Sequence, residues 1–145
     1  MSAPRIIAAG SGTRVNVLGD HQTFRLTGAD TDGALTVIEQ SFEPGVGVPL
    51  HYHEREEETF TVLEGEVAYE LDGKRIVAVP GTTVFVPRRV KHRFEAVGTK
   101  RARVLLVVTP AGLEGMFLEL GQLPPGPPDL TKVTEICARF GVRLV

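Results

Sequence analysis

Cysteine is almost absent from this chain: Cys137 stands alone among 145 residues. An internal disulfide is therefore excluded, a reducing compartment is expected, and Cys137 reads as a small buried apolar residue. Long hydrophobic runs are missing too. No stretch approaches the ~20 apolar residues that a membrane-spanning helix needs, and residues 1–10 lack the apolar segment of a secretory signal. Charge of one sign is equally scarce. The formal net charge is −2 with a pI near 6.1, and no stripe of Lys and Arg offers the footprint of a nucleic-acid or anionic-membrane partner. The nearest approach, Arg88, Arg89, Lys91 and Arg93, reads as solvated rim charge beside a turn. A soluble cytoplasmic protein without nucleic-acid or membrane partners is the expectation.

What the chain does contain is strand-like alternation. Its length suits one domain, residues 1–145. Apolar residues recur with period 2 from residue 13 to residue 109, as in Val15 and Val17, Phe24 and Leu26, and Val67, Tyr69 and Leu71. Asp72-Gly73 is a two-residue hairpin signal, returning through Ile76, Val77 and Val79. After Pro80-Gly81 the run Val84-Phe85-Val86 ends at Pro87, and Arg103 to Thr109 makes a last apolar strand. Glycine and proline fall mostly between these runs, as turn punctuation does. The pattern is all-β, a small antiparallel sandwich or barrel with its core at about 13–110.

The tail, residues 111–145, changes character. Leu113, Met116, Phe117 and Leu120 follow helical spacing, with Gly121 read as the C-cap. Pro124 to Pro128 breaks that helix, and Asp129 is placed to N-cap a second one carrying Leu130, Val133, Ile136, Cys137 and Phe140 on one face. Both helices are expected to pack on the barrel or its mouth.

Three of the four histidines lie in two short stretches. His51 and His53, two apart, project the same way from an extended segment, and neutral imidazoles with a carboxylate are transition-metal donors. Among Glu54, Glu56, Glu57 and Glu58, spacing permits Glu57 or Glu58. The following strand selects Glu58, which shares its face with Phe60 and Val62; the other three read as solvated loop charges. His92 follows a glycine- and proline-punctuated strand, and His21, outside both stretches, reads as a surface or structural histidine.

Together the stretches resemble the two motifs of the cupin superfamily. Gly45, His51-Tyr52-His53, Glu58 and Gly65 match the first at every fixed position, while Gly81, Pro87 and His92 match the second. Arg89 stands where that motif has glycine and Ala96 where it has asparagine. The resemblance runs most firmly from residue 45 to about residue 96 and is similar to the small single-domain bacterial cupins. It implies an antiparallel β-barrel, or double-sheet jelly roll, with short C-terminal helices. It also implies that His51, His53, Glu58 and His92 hold one divalent transition metal (iron, manganese, nickel, cobalt, copper or zinc), and that the chain pairs as a homodimer.

Three nitrogens and one oxygen leave two positions of an octahedral metal open for substrate oxygen and water or dioxygen. Among cupins with this ligand set the resemblance implies dioxygenases of enolic or phenolic compounds, flavonol-cleaving enzymes being the best-known type. The leading expectation is therefore an oxygenase of a small, largely apolar, hydroxyl-bearing molecule. Glu58 would serve as its catalytic base, and Phe60, Val62 and Phe94 as its substrate-facing residues. The alternatives are a non-redox isomerase, cyclase or lyase and a non-catalytic small-molecule-binding module.

Overall fold

A computed structural model describes residues 2–145. Eleven strands and three helices follow in order. They are β1 (Thr13–Val17), β2 (Asp20–Leu26), α1 (Gly28–Thr31), β3 (Thr36–Phe42), β4 (His51–His53), β5 (Glu57–Glu64) and β6 (Glu66–Leu71). After these come β7 (Lys74–Ala78), β8 (Thr83–Val86), β9 (His92–Val97), β10 (Ala102–Thr109), α2 (Glu114–Gly121), α3 (Leu130–Arg139) and β11 (Val142–Leu144). Two antiparallel sheets face each other, one in the order β1-β2-β3-β10-β5-β8 and the other β11-β4-β9-β6-β7. This is the expected double-sheet barrel with short C-terminal helices.

The alternation seen in the sequence is what closes it. Successive strand side chains point to opposite faces, so β10 turns Ala102, Val104, Leu106 and Val108 inward, while β3 turns in Ile38 and Phe42 and β5 turns in Phe60 and Val62. Each fully buried Val, Leu, Ile or Phe among them contributes about 1.5–3 kcal/mol. Across the sandwich, Phe94 on β9 meets Phe42 and Phe60 with ring centroids 5.4 and 5.7 Å apart. The Asp72-Gly73 hairpin forms as expected, both residues at positive φ (50° and 85°) and Leu71 opposite Lys74. Gly65 has a sharper duty. It alone joins β5 to β6, crossing from one sheet to the other at φ 73°, and a Cβ there would lie 2.7 Å from the Arg101 carbonyl oxygen.

The tail departs from expectation in three places. Gly121 is the last residue of α2, whose cap is Gln122; its smallness serves close packing instead, since a Cβ would run into the Val15 side chain. Asp129 does N-cap α3, accepting from the Thr131 and Lys132 amides at 3.0 and 3.3 Å. Leu130, however, is 68% exposed, because the first turn projects past the barrel. Finally, residues 142–144 form a strand that pairs with β4, setting Val142 against His53 and Leu144 against His51. The end of the chain thus supports the strand that bears two histidines. The short α1 is also absent from the sequence reading. Among the described residues no helix is long and apolar enough to cross a membrane.

Candidate metal centre

The structure brings His51, His53, Glu58 and His92 together at one point between the sheets. Glu58 and His92 are in phase with core residues on their own strands, Glu58 with Phe60 and Val62 and His92 with Phe94 and Ala96, while His51 and His53 are the two inward residues of β4. The loop before β4 is laced onto β9 by Gly45 N–H to Ala96 O (2.9 Å) and Val48 N–H to Phe94 O (3.0 Å). Gly47 lies so close to Phe94 and Glu95 that a Cβ would collide with the Phe94 carbonyl. His51 consequently faces His92 across the β4–β9 pair.

One donor atom from each of the four lies within 4.8 Å of all the others, and all four residues are buried. His51 Nε2 is 3.1 Å from His53 Nε2, and Glu58 Oε1 is 3.1 Å from His53 Nε2 and 3.0 Å from His92 Nε2. The far side of two rings explains their orientation. His51 Nδ1 donates to Pro49 O at 2.9 Å and His92 Nδ1 to Val90 O at 2.8 Å. A carbonyl only accepts, so the hydrogen sits on Nδ1 and the Nε2 lone pairs face the common centre. Lone pairs and a carboxylate oxygen converging at such distances repel unless positive charge lies among them, and a divalent cation fits that donor set.

The electrostatics carry the same message. Burial acts to raise the Glu58 carboxyl, but the charge and hydrogen bond of His53 beside it, with His92 close by, hold it well below the ordinary range. Burial acts to lower His53, yet the Glu58 and Glu56 carboxylates drive it up to about 10. Burial and then the neighbouring His92 and His53 push His51 down to about 4.

Glu56 is a correction to the sequence reading. It is 6% exposed rather than a solvated loop charge, and its Oε1 lies 3.5 Å from His53 Nδ1, behind the ring. Each of the three imidazoles therefore has an oxygen at its back. Arg89 is the other surprise, because it takes the left-handed backbone (φ 67°) that glycine adopts freely, and its N–H binds His53 O at 2.8 Å. The turn before His92 thus holds a left-handed residue without a glycine.

The cluster opens on a cavity of about 110 Å³. Phe60, Phe94 and Leu106 line it from the sheets, and Met116, Phe117 and Leu120 of α2 close it from the tail. His51, His53 and Glu58 form part of its wall; His92 touches Glu58 from behind that wall, and Val62 lies deeper in the core, also outside it. The mouth lies by exposed Leu18 and Pro49.

Three buried polar residues in the same cavity escaped the sequence reading: Asp20, Gln22 and Gln40. Their signal was phase. Gln22 stands two residues before inward Phe24, and Gln40 stands between inward Ile38 and Phe42. Tyr69 was also missed as a polar group. Fully buried against Phe60 and Phe94, with its hydroxyl unpartnered, it has its ionisation pushed up by burial and then by Glu58 and Asp20.

Residues 38–108 match a family described as cupin domain. The chain is 31% identical over 122 residues to quercetin 2,3-dioxygenase of Bacillus subtilis, a match covering 83% of this chain and 35% of that protein. It is 33% identical over 67 residues to the polyketide synthase protein CurC of Streptomyces cyaneus, covering 46% and 44%. The chain thus spans less than half the length of either relative. Among solved structures, KdgF from Halomonas sp. superposes with a TM-score of 0.69 at 18% identity, over 78% of this chain and 99% of that one. That last likeness is one of fold.

Proposed function

The chain belongs to the cupin family, and we propose that it is a metal-dependent oxygenase of a small, largely apolar molecule bearing an enolic or phenolic hydroxyl. The observation that carries this reading is the convergence of four buried donor atoms within 4.8 Å on the wall of an apolar cavity. His51, His53, Glu58 and His92 would hold one divalent transition metal. Once bound, that metal would supply Lewis acidity toward a substrate oxygen and, if redox-active, electron exchange with dioxygen. The likeness to a quercetin 2,3-dioxygenase supports the oxygen branch.

The protein's own groups have definite parts. Phe60 and Phe94 would clasp the ring and keep water out, while Val62 backs Phe60 without reaching the ligand. Glu58 would take the hydroxyl proton on a carboxylate oxygen once it loosens from His53 and His92. Size limits the substrate: about 110 Å³ is less than the ~150 Å³ cavity that holds benzene, so a ring-bearing ligand enters only with movement of the walls.

Metal analysis of protein purified without chelator or affinity-tag metal is the first test. Oxygen uptake with single-ring phenols and enols, compared with His51→Ala, is the second. Turnover that persists under strict anaerobiosis sinks the proposal; stoichiometric zinc with oxygen-independent turnover would favour an isomerase or lyase, and ligand retention without turnover a binding module. The same proposal places the protein in the cytoplasm, where buried Cys137 stays reduced. It also pairs two copies through the exposed apolar rim of Ile76, Val77, Val79 and Phe85, which light scattering would test as a dimer mass.

A further inference from the structure

At the other end of the cavity from the histidines, Asp20, Gln22 and Gln40 form a closed polar group. They are 6%, 2% and 3% exposed, and all three line the cavity. Gln22 and Gln40 are cross-strand partners on β2 and β3; Gln40 then pairs with Val104, and Val104 with Val62, two inward positions along β5 from Glu58. The separation is roughly 13 Å along the strand direction. This group is therefore not part of the donor cluster.

Its hydrogen bonding is one-sided. Gln22 Nε2 and Gln40 Nε2 both donate to Asp20 Oδ2, at 3.0 and 2.9 Å. Each bond uses one of the two hydrogens of its amide and fixes that amide on one carboxylate oxygen, while three acceptors have no partner: Asp20 Oδ1, Gln22 Oε1 and Gln40 Oε1. A buried acceptor left unmade costs about 1–3 kcal/mol, and in a well-packed interior three adjacent ones are rare. Burial, against the two amide hydrogen bonds and the smaller effects of His21 and the Ser41 backbone, lifts the Asp20 carboxyl to about 6, so at neutral pH the group is anionic.

We infer that Asp20, Gln22 and Gln40 are a recognition subsite for a hydrogen-bond donor on the substrate, a neutral hydroxyl remote from the atom that meets the metal. A neutral donor suits the site better than an ammonium, because the same small cavity would also hold a divalent cation. This rests on the cavity being the substrate site, as proposed above, and deepens it: the ligand carries hydroxyl character at both ends of an apolar body.

Phenol and toluene, nearly equal in volume and differing in the donor, are suitable probes. With 15N-labelled, metal-free full-length protein, phenol should shift the side-chain amide resonances of Gln22 and Gln40 while toluene leaves them in place. In Gln40→Met, whose fold is checked by its amide spectrum, the preference for phenol over toluene should fall about fivefold, the size of one neutral hydrogen bond. Should Gln40→Met not fold, the wild-type resonances alone decide. Equal affinity for both probes, phenol binding without movement of those resonances, or no phenol binding at millimolar concentration overturns the subsite. Absence of metal binding with phenol selectivity intact would overturn the metal reading and leave the subsite standing.

Discussion

Loading the four-donor cluster with a divalent metal should raise the melting temperature by an amount that can be worked out. A ligand that binds only the folded chain adds RT ln(1 + [L]/Kd), about 2.7 kcal/mol at a hundredfold excess over Kd. For a domain of this size 1 kcal/mol moves the midpoint by about 4 °C, so the rise should be about 10 °C. The unfolded chain competes poorly, because its donors come from β4, β5 and β9, and Glu58 and His92 are 34 residues apart. Glu58→Gln is the informative perturbation. It preserves side-chain volume but removes the one anionic donor, and it leaves His53 without the carboxylate that lies 3.1 Å from it. In chelator the variant should lose roughly 3 kcal/mol, the lower end for removing one partner of a buried pair, and on adding metal it should recover almost none of the 10 °C. Calorimetric melts of wild type, Glu58→Gln and His51→Ala, each with chelator and with nickel or zinc, provide the comparison. An equal metal-induced rise in all three proteins would refute the reasoning, as would no rise in wild type.

Glu56→Gln, which leaves every donor in place but removes the charge behind His53 Nδ1, should weaken metal affinity about 10–100-fold with little change in the chelator melt; competition with a chromogenic chelator measures it. Asp20 is raised from 3.8 to about 6, so the folded state holds its proton where the unfolded chain has lost it. Stability should therefore fall as pH rises from about 4 to about 6, by up to roughly 3 kcal/mol. Asp20→Asn, with no charge to bury, should flatten that interval and raise the urea midpoint at pH 7. Arg89→Gly relieves a left-handed residue (φ 67°) while retaining the N–H to His53 O. It should stabilise the protein by about 0.5–1 kcal/mol, read as a higher urea midpoint with unchanged slope.

Much of the architecture was legible because burial of one face imposes period 2, and the ligands obey the same period as their apolar neighbours. Glu58 could be chosen over Glu57 because Phe60 and Val62 must face inward, and the structure places Glu58 with them. Glu56 lies in the same inward phase, two residues before Glu58, but it falls in the loop before β5, where a charge is ordinarily solvated. Gln22 and Gln40 were legible in principle, being in phase with Phe24 and Ile38, but a polar residue inside a strand is ordinarily outward-facing. The three-residue β11 is too short for any periodic signal, and its pairing with β4 depends on where α3 ends. Gly121 carried the signature of a cap, yet tertiary contact with Val15 explains it better.

The wall supplied by α2 and α3 separates two kinds of change. Every candidate donor is anchored on barrel strands, whereas Met116, Phe117, Leu120 and Val133 belong to a tail that follows the barrel in the chain. Exchanging Met116, Phe117 or Leu120 of α2 for larger or smaller side chains re-sizes the chamber without touching a strand that bears a candidate donor, so chamber shape and donor geometry are free to diverge independently. A library confined to those three positions would therefore sample new chamber shapes around one unaltered donor cluster.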